Sequence, residues 1–435
     1  MLKAERYPHL KITDPEVYDL ICRQAAYEGT TLKMIASENY ASFSVLEATG
    51  SSLTNKYCEG YPGARYYEGN DICDEVENLA INRLKALFGA EHANVQPLSG
   101  SPANSAVYRA IMKPGDKVMG IPVDFGGHLT HGWKVNFSGK DYVQVPFGPS
   151  PETGILDYDE IREIALRERP RMIWCGTTAY PRTIHYDRFA AIAEEVGAYL
   201  VADIAHISGL IAGGAHPNPV PYCDVVSSTT HKMMRGPRSG FIMSRIEDRY
   251  QEKYYPTSKN NLAKRIDRAV FPTLQGGPHM NVIAGMAVAF AEAATDSFKE
   301  YAHQVVKNAR ALGEYLMEHG IKLASGGTDT HMLLLDLRDK EYTGKDAAQA
   351  LARGGIIANF NTVPGDTRKP TVTSGVRMGT PGLTSMGMKE ADMLKVGEWI
   401  VRILNALPSS EDAEKSARKE IADFCAQFTI PGLDD

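Results

Sequence analysis

The sequence predicts an α/β domain built on a largely parallel sheet, followed by a smaller α+β region. Two observations predict the first part. From about residue 75 to 245, short apolar runs of strand length alternate with helical patterns, the order that βαβ units require. Acids and hydroxyls stand just past the ends of two of those runs, at Asp203 and at Thr229–Lys232, where α/β sheets bind ligands. A third observation predicts the second part: beyond Asp296 the alternation gives way to longer helical stretches with a single clear strand.

In chain order, residues 1–30 read as an arm followed by a helix. Asp14-Pro15-Glu16 is a helix start, with an N-cap acid and a proline in the first turn. Lys117–Ile121, Tyr142–Val145, Met172–Cys175, Tyr199–Ala202, Asp224–Ser227 and Gly240–Met243 read as strands. Val76–Phe88, Pro102–Met112, Asp159–Arg167 and Asp187–Val196 read as helices. Ser244 to Pro272 is charged and irregular and reads as a surface excursion. Val282–Ala291, the longest apolar stretch, is too short to span a bilayer and reads as a buried helix. Phe298–Glu318, Met332–Asp336, Gly344–Arg353 and a final helix Lys389–Ala406 follow. The expected division is an arm and helix over 1–30, a large domain over 31–290 and a smaller one over 291–435. With 435 residues the chain exceeds one hydrophobic core.

Hydrophobic content of 43%, charged content of 23% and a net charge of −6 are those of a globular protein, and they argue against a basic nucleic-acid-binding surface. The six cysteines are scattered with no C-x-x-C pair, which fits reduced thiols and a cytoplasmic location rather than a disulfide framework. The N-terminal stretch lacks a signal-peptide apolar core.

The chemistry concentrates in a few segments. Lys232 follows the run Val225-Val226-Ser227-Ser228-Thr229-Thr230-His231, and Asp203 ends the run Tyr199-Leu200-Val201-Ala202. A lysine that can form a Schiff base and a carboxylate that can hold a pyridinium nitrogen are the groups pyridoxal phosphate needs most; a solvated lysine and a capping aspartate are the plain alternatives. Ser99-Gly100-Ser101-Pro102-Ala103-Asn104 precedes a helix and suits a phosphate, or is an ordinary serine cap. His206 could touch a ring oxygen. Gly126-Gly127-His128-Leu129-Thr130-His131-Gly132 has H-x-x-H spacing, but no cysteine or acid at ligand spacing completes a metal site. Its imidazole can stack on an aromatic cofactor instead. Tyr57 to Tyr67 is dense in tyrosine and glycine, with Glu59 placed as an acid or base. Arg377, in Thr373–Thr380, can bind a carboxylate bidentately.

Together and in this order, these segments resemble the serine hydroxymethyltransferases, pyridoxal-phosphate enzymes of fold type I. The likeness runs from Ile35-Ala36-Ser37-Glu38-Asn39, through Leu53–Tyr67, Ser99–Asn104, Gly126–Gly132, Asp203–Leu210, Thr229–Lys232 and Gln275-Gly276-Gly277-Pro278, to Thr373–Pro381. It implies a seven-stranded, mostly parallel sheet in the large domain. It implies pyridoxal 5′-phosphate bound covalently at Lys232 and tetrahydrofolate as co-substrate, with no metal. The hydroxymethyl carbon of serine would pass to tetrahydrofolate, giving glycine and 5,10-methylenetetrahydrofolate. Asp203 would partner the ring nitrogen, His206 the ring oxygen, and His128 would stack on the ring. Ser99, Gly100, Ser101, Thr178, Thr229 and His231 would surround the cofactor, with Arg238 following the lysine loop. Ser37, Tyr67 and Arg377 would take the substrate carboxylate, and Glu59, Val123, Gly127 and Asn361 the folate. Tyr57, Glu59 and Gly277 would serve the adjoining subunit of a homodimer or a dimer of dimers. The resemblance implies neither a nucleic-acid nor a membrane partner.

The chain departs from the common pattern at Thr178, where serine is usual, and at Asp124-Phe125, Met233-Met234, Ser239 and Thr273-Leu274. Lys232, Asp203 and Arg377 are kept. The departures leave two relatives open as alternatives: a transferase acting on α-methylserine and a folate-independent, threonine-type aldolase.

Overall fold

The computed structural model describes residues 7–434. The first six residues of the expected arm lie outside them. The chain forms two compact units: Ser44–His303, and the described residues up to Phe43 together with those from Gln304 onward. These limits were drawn in sequence at residues 30 and 290, with the N-terminal segment standing apart.

The Ser44–His303 unit is organised by a seven-stranded sheet. Its strands are β1 (His92–Asn94), β2 (Lys117–Gly120), β3 (Val143–Pro146), β4 (Met172–Trp174), β5 (Tyr199–Asp203), β6 (Val225–Thr229) and β7 (Gly240–Ser244), in the spatial order β1-β7-β6-β5-β4-β2-β3. β7 runs antiparallel to both its neighbours, and the other pairings are parallel. Every residue of β5, β6 and β7 is buried, as expected of strands covered on both faces. The helix Gly100–Ile111 buries Ala103, Val107, Ala110 and Ile111 against Trp174, Tyr199, Val201, Val225 and Ile242. In the parallel β5–β6 register, Asp203 lies opposite Ser227, so both expected cofactor segments leave the same end of the sheet.

Three expectations are corrected. Ser244–Pro272 is not a surface excursion: Leu262–Arg268 is a helix whose Leu262 and Ile266 are fully buried in the same core. Its charge is internal too, because Arg265 pairs with the buried Asp248. The edge strand β1, three residues long, was not foreseen. Lys389–Ala406 is not the final helix, since Glu411–Cys425 follows it. Met280–Ala293 is the buried helix expected around Val282–Ala291, and no helix among the described residues is long and apolar enough to cross a membrane. All six cysteines are free thiols.

The second unit holds a four-stranded antiparallel sheet in the order Lys322–Leu323, Met332–Asp336, Gly375–Gly379, Asn359–Asn361. Leu333, Leu335, Val376 and Met378 pack with Leu351, Trp399, Ile400, Ile403 and Ile421. Thr343 and Asp346 close a capping box at the head of Gly344–Arg353, fixing that helix at its N-terminus. Ile421 is fully buried, and deleting its side chain would cost roughly 2–5 kcal/mol.

Candidate functional site

Beyond the carboxyl ends of β5 and β6 lies a cavity of about 220 Å³. Ser99, Gly100, Ser101, His128, Thr178, Asp203, His206, Thr229, His231, Lys232 and Arg238, all expected from sequence, line it together with Thr177 and Ala205. Lys232 reaches it because the chain leaves β6 at Thr229 and turns back toward β7, with Arg235 N–H donating to Lys232 O (3.1 Å) and Gly236 N–H to Thr230 O (2.8 Å).

At one end, Asp203 sits in a hydrogen-bonded cage. Its Oδ2 accepts from Asn104 Nδ2 (2.8 Å) and from His131 Nε2 (3.3 Å), and its Oδ1 from Ala205 N–H (3.1 Å). Asn104 is oriented in turn: its Oδ1 accepts from Ser227 Oγ (2.6 Å), and its Nδ2 also donates to Thr130 Oγ1 (2.8 Å). The network fixes the tautomers of both histidines. His131 Nδ1 accepts from His128 N–H (3.3 Å), which leaves its proton on Nε2, facing Asp203. His128 Nδ1 accepts from Thr130 N–H (3.3 Å) and lies 2.7 Å from Thr130 Oγ1. His131 is itself wedged against Trp174, with ring centroids 4.9 Å apart.

The electrostatics follow. Burial works to raise the Asp203 carboxyl, but the hydrogen bond from His131 and the positive charge of Lys232 outweigh it and hold the group well below the usual carboxylate range. Asp203 is therefore an ionised, buried carboxylate. His128 is drawn down to about 4, chiefly by burial, against the pull of Asp203, and stays neutral. The ligand atoms of His128, His131 and Asp203 lie within 4.8 Å of one another, so the acid missing from the H-x-x-H spacing does arrive in space. His131 Nε2, however, carries the proton it donates to Asp203, whereas a metal ligand must present a lone pair.

The other end is built differently. Thr229 Oγ1 and His231 Nδ1 are buried and make no hydrogen bond among the described residues. Burial, followed by the Lys232 and Arg238 charges, draws His231 down to about 4. Thr229 and His231 line the same cavity as Ser99, Gly100 and Ser101, at the N-terminus of the helix Gly100–Ile111. Gly240 allows the close approach of β7 to this loop, since a Cβ there would meet Ser99 O at 2.5 Å. Buried polar atoms left unpaired are costly. A phosphate supplies what they lack, and the helix terminus favours its charge. The residues present therefore fit a group with a protonated ring nitrogen at one end and a phosphate at the other, lying beside Lys232.

Four expected residues gather elsewhere in this unit. Tyr57 packs on Gly277, where a Cβ would meet its ring at 2.7 Å, and Glu59 Oε1 lies 3.3 Å from the Cβ position of Gly276. Tyr67 stands edge-on to Tyr57 (5.5 Å), and the Glu59 charge raises its phenol. Tyr57, Tyr66 and Tyr67 are exposed, and none of this group lines the Lys232 cavity. Arg65 holds the loop in place, bonding Asp74 (2.8 Å), Glu77 (2.6 Å) and the carbonyls of Cys58 and Gly60. Val123 and Gly127 lie in the turn after β2, where Gly127 N–H donates to Pro122 O (3.0 Å).

Arg377, Ser37 and Asn361 belong to the second unit. Arg377 is nearly buried on a central strand, its Nε donating to Asn359 Oδ1 (3.1 Å). Burial draws its guanidinium down to about 10, a setting that favours an anionic partner. Gly379 N–H donates to Met34 O (2.8 Å), which brings the Ser37 segment alongside that strand. Asn361 Nδ2 donates to Thr362 O (2.8 Å).

Of the departures, Thr178 lines the cavity. Phe125 does not: it packs over Gly148. Met233 and Met234 are buried, and Ser239 Oγ donates to Pro97 O (3.0 Å). Sequence reading did not assign Asn104, Thr130, His131 or Ser227 a role, though all four lay in segments already singled out. The helical spacing of Asn104 from Gly100 and Ser101, which puts it on the same face, was a usable signal.

Comparison with known proteins agrees with this geometry. A family model described as serine hydroxymethyltransferase matches residues 10–400. A curated relative from Mesorhizobium japonicum, serine hydroxymethyltransferase 2, is 62% identical over 422 residues, covering 97% of this chain and 96% of its own. Serine hydroxymethyltransferases of Desulfotalea psychrophila (50% over 425 residues; 98% and 96%) and Acidothermus cellulolyticus (49% over 430 residues; 98% and 97%) are also similar.

Proposed function

The chain belongs to the serine hydroxymethyltransferase family, and from that premise we propose that it transfers the hydroxymethyl carbon of serine to tetrahydrofolate, using pyridoxal 5′-phosphate held at Lys232. One observation carries the reading: a single cavity beside Lys232 has an ionised carboxylate at one end and unpaired buried polar atoms at a helix N-terminus at the other. When bound, the cofactor supplies a protonated ring able to take up the electron pair released by cleavage at the amino acid's α-carbon.

The chain's own residues do the rest. Asp203 keeps a proton at the ring nitrogen, because its charge is fixed by Asn104 and His131. Neutral His128 offers a flat face for stacking, and His206 a contact to the ring oxygen. Ser99, Gly100, Ser101, Thr229 and His231 hold the phosphate. The Arg377 guanidinium, with Ser37 and Tyr67, takes the substrate carboxylate and so sets which α-carbon bond is cleaved. Glu59 handles a proton near the hydroxymethyl group, and Val123, Gly127 and Asn361 contact the folate.

In this reading the protein is a homodimer with shared sites, in the cytoplasm. The cluster of exposed Tyr57 with half-buried Glu59 and Gly277, standing apart from the Lys232 cavity, supports the sharing. The α-methylserine transferase and the folate-independent aldolase would use the same lysine and aspartate. Similarity along nearly the whole of several proteins named serine hydroxymethyltransferase favours serine. The test is turnover of serine, α-methylserine and allo-threonine, each with and without tetrahydrofolate. Serine should be preferred and folate-dependent; serine turnover indifferent to folate would remove the proposal.

A further inference from the structure

Gln275 stands at the start of the Gln275-Gly276-Gly277-Pro278 turn, its N–H bonded to Val270 O (2.9 Å). Its side chain crosses to a segment far away in sequence. Leu98 N–H donates to Gln275 Oε1 (3.1 Å), and Gln275 Nε2 donates to Gln96 O (2.8 Å). Both ends of the amide are engaged, so its orientation is set. The segment it grips, Gln96–Leu98, runs directly into Ser99–Ser101.

That segment is held from two other sides. Pro97 O accepts from Ser239 Oγ (3.0 Å) and Gly240 N–H (3.0 Å). Gln96 Nε2 donates to Gly60 O (2.9 Å) and Glu77 Oε1 (2.8 Å), next in sequence to Glu59. Three residues thus meet the exposed loop, the glycine turn and the head of the phosphate loop.

We propose that Gln275 is a positioning residue for the cofactor phosphate, setting the Ser99–Ser101 loop through Leu98 and Gln96 and tying it to the turn that carries Gly277. The inference rests on the cofactor reading above, in which the loop serves its own subunit's phosphate and Gly277 the neighbour's. Main-chain N–H groups bind an anion well only when their positions are fixed to within a fraction of an ångström. Without the glutamine, Leu98 N–H and Gln96 C=O lose their partner and the loop loses its register. Asp203, Asn104 and His131 are held by a separate set of hydrogen bonds, so the ring end keeps its geometry.

The experiment titrates the full-length, cofactor-stripped protein with pyridoxal 5′-phosphate and with pyridoxal, the same ring without a phosphate, following the bound chromophore by absorbance. For Gln275→Leu, affinity for the phosphorylated ring should fall about tenfold, while that for pyridoxal stays within about twofold of the parent. A folded variant with the parent's preference for phosphate overturns the proposal. Equal weakening of both ligands overturns it as well, because that is the mark of a general structural role. Gln275→Met, unbranched and of similar length, is read by the same criteria if the leucine variant does not fold. A parent protein that binds both rings equally would instead overturn the reading of the phosphate end itself.

Discussion

The two ends of the Lys232 cavity differ in how much of their hydrogen bonding the chain completes by itself. Around Asp203, the carboxylate, the Asn104 amide and the facing histidine nitrogens are engaged with one another. Around Thr229 and His231, buried polar atoms are left without a partner among the described residues. The first end is organised before anything binds, and its charge is set by the fold. The second carries an outstanding desolvation cost that an anion relieves. In the proposed function, recognition of the phosphate and control of the ring are separable jobs, and substitutions at either end should report on that one alone.

The largest effect is expected at the completed end. Asp203→Asn leaves the size unchanged but removes the fixed charge, so kcat/KM should fall about 10³-fold, roughly 4 kcal/mol, with phosphate affinity little changed. Near-normal turnover would end the assignment of Asp203 to the ring nitrogen. Next comes pH. His128 and His231 are held at about 4 in the fold, chiefly by burial, against an ordinary value of 6.5. Unfolding therefore takes up protons on both between these values. The stability they permit is fully present above 6.5 and is lost as pH falls toward 4, by up to about 1.4 kcal/mol per pH unit for each histidine. The Tm of the cofactor-free protein should rise with pH across that window, and His231→Asn should make the rise shallower. An unaltered slope would show that His231 is not buried neutral. The smallest effect is expected from Thr229→Val. Its hydroxyl has no partner among the described residues, so the stripped protein should be no less stable, while cofactor affinity drops about fivefold, or ~1 kcal/mol. A loss of stability without a loss of affinity would mean that the hydroxyl serves the fold instead.

Much of this was legible in the sequence, for local reasons. β5 is an unbroken apolar run closed by an acid, and β6 is a pair of valines running into hydroxyls, so both strands and the residues at their ends could be read from composition and order. The resemblance then assigned roles to Lys232, Asp203 and the phosphate loop, and the structure gathers them around one cavity. What escaped has physical reasons too. β1 is three residues long, too short for any period to show. Glu411–Cys425 buries Ala417, Ile421 and Cys425 at helical spacing, but among charges and after a Leu407-Pro408 break. Leu262–Arg268 looked like surface because its buried arginine finds its acid at Asp248, across a loop. The cage around Asp203 joins residues 104, 131, 203 and 227, and Gln275 reaches back to residues 96 and 98. Neither pairing is written in local spacing.

The amide of Asn104 makes the ring end vulnerable to one minimal change. Exchange of its NH₂ for oxygen, as in Asn104→Asp, alters neither the volume nor the shape of the side chain. It would nonetheless turn a donor 2.8 Å from Asp203 into a second carboxylate. Two such groups at that separation cannot both stay ionised, so the pair would share a proton. The protein would keep its architecture, but the charge at its centre would be divided between two carboxyl groups and no longer fixed on Asp203. The function of position 104 thus turns on the identity of a single atom.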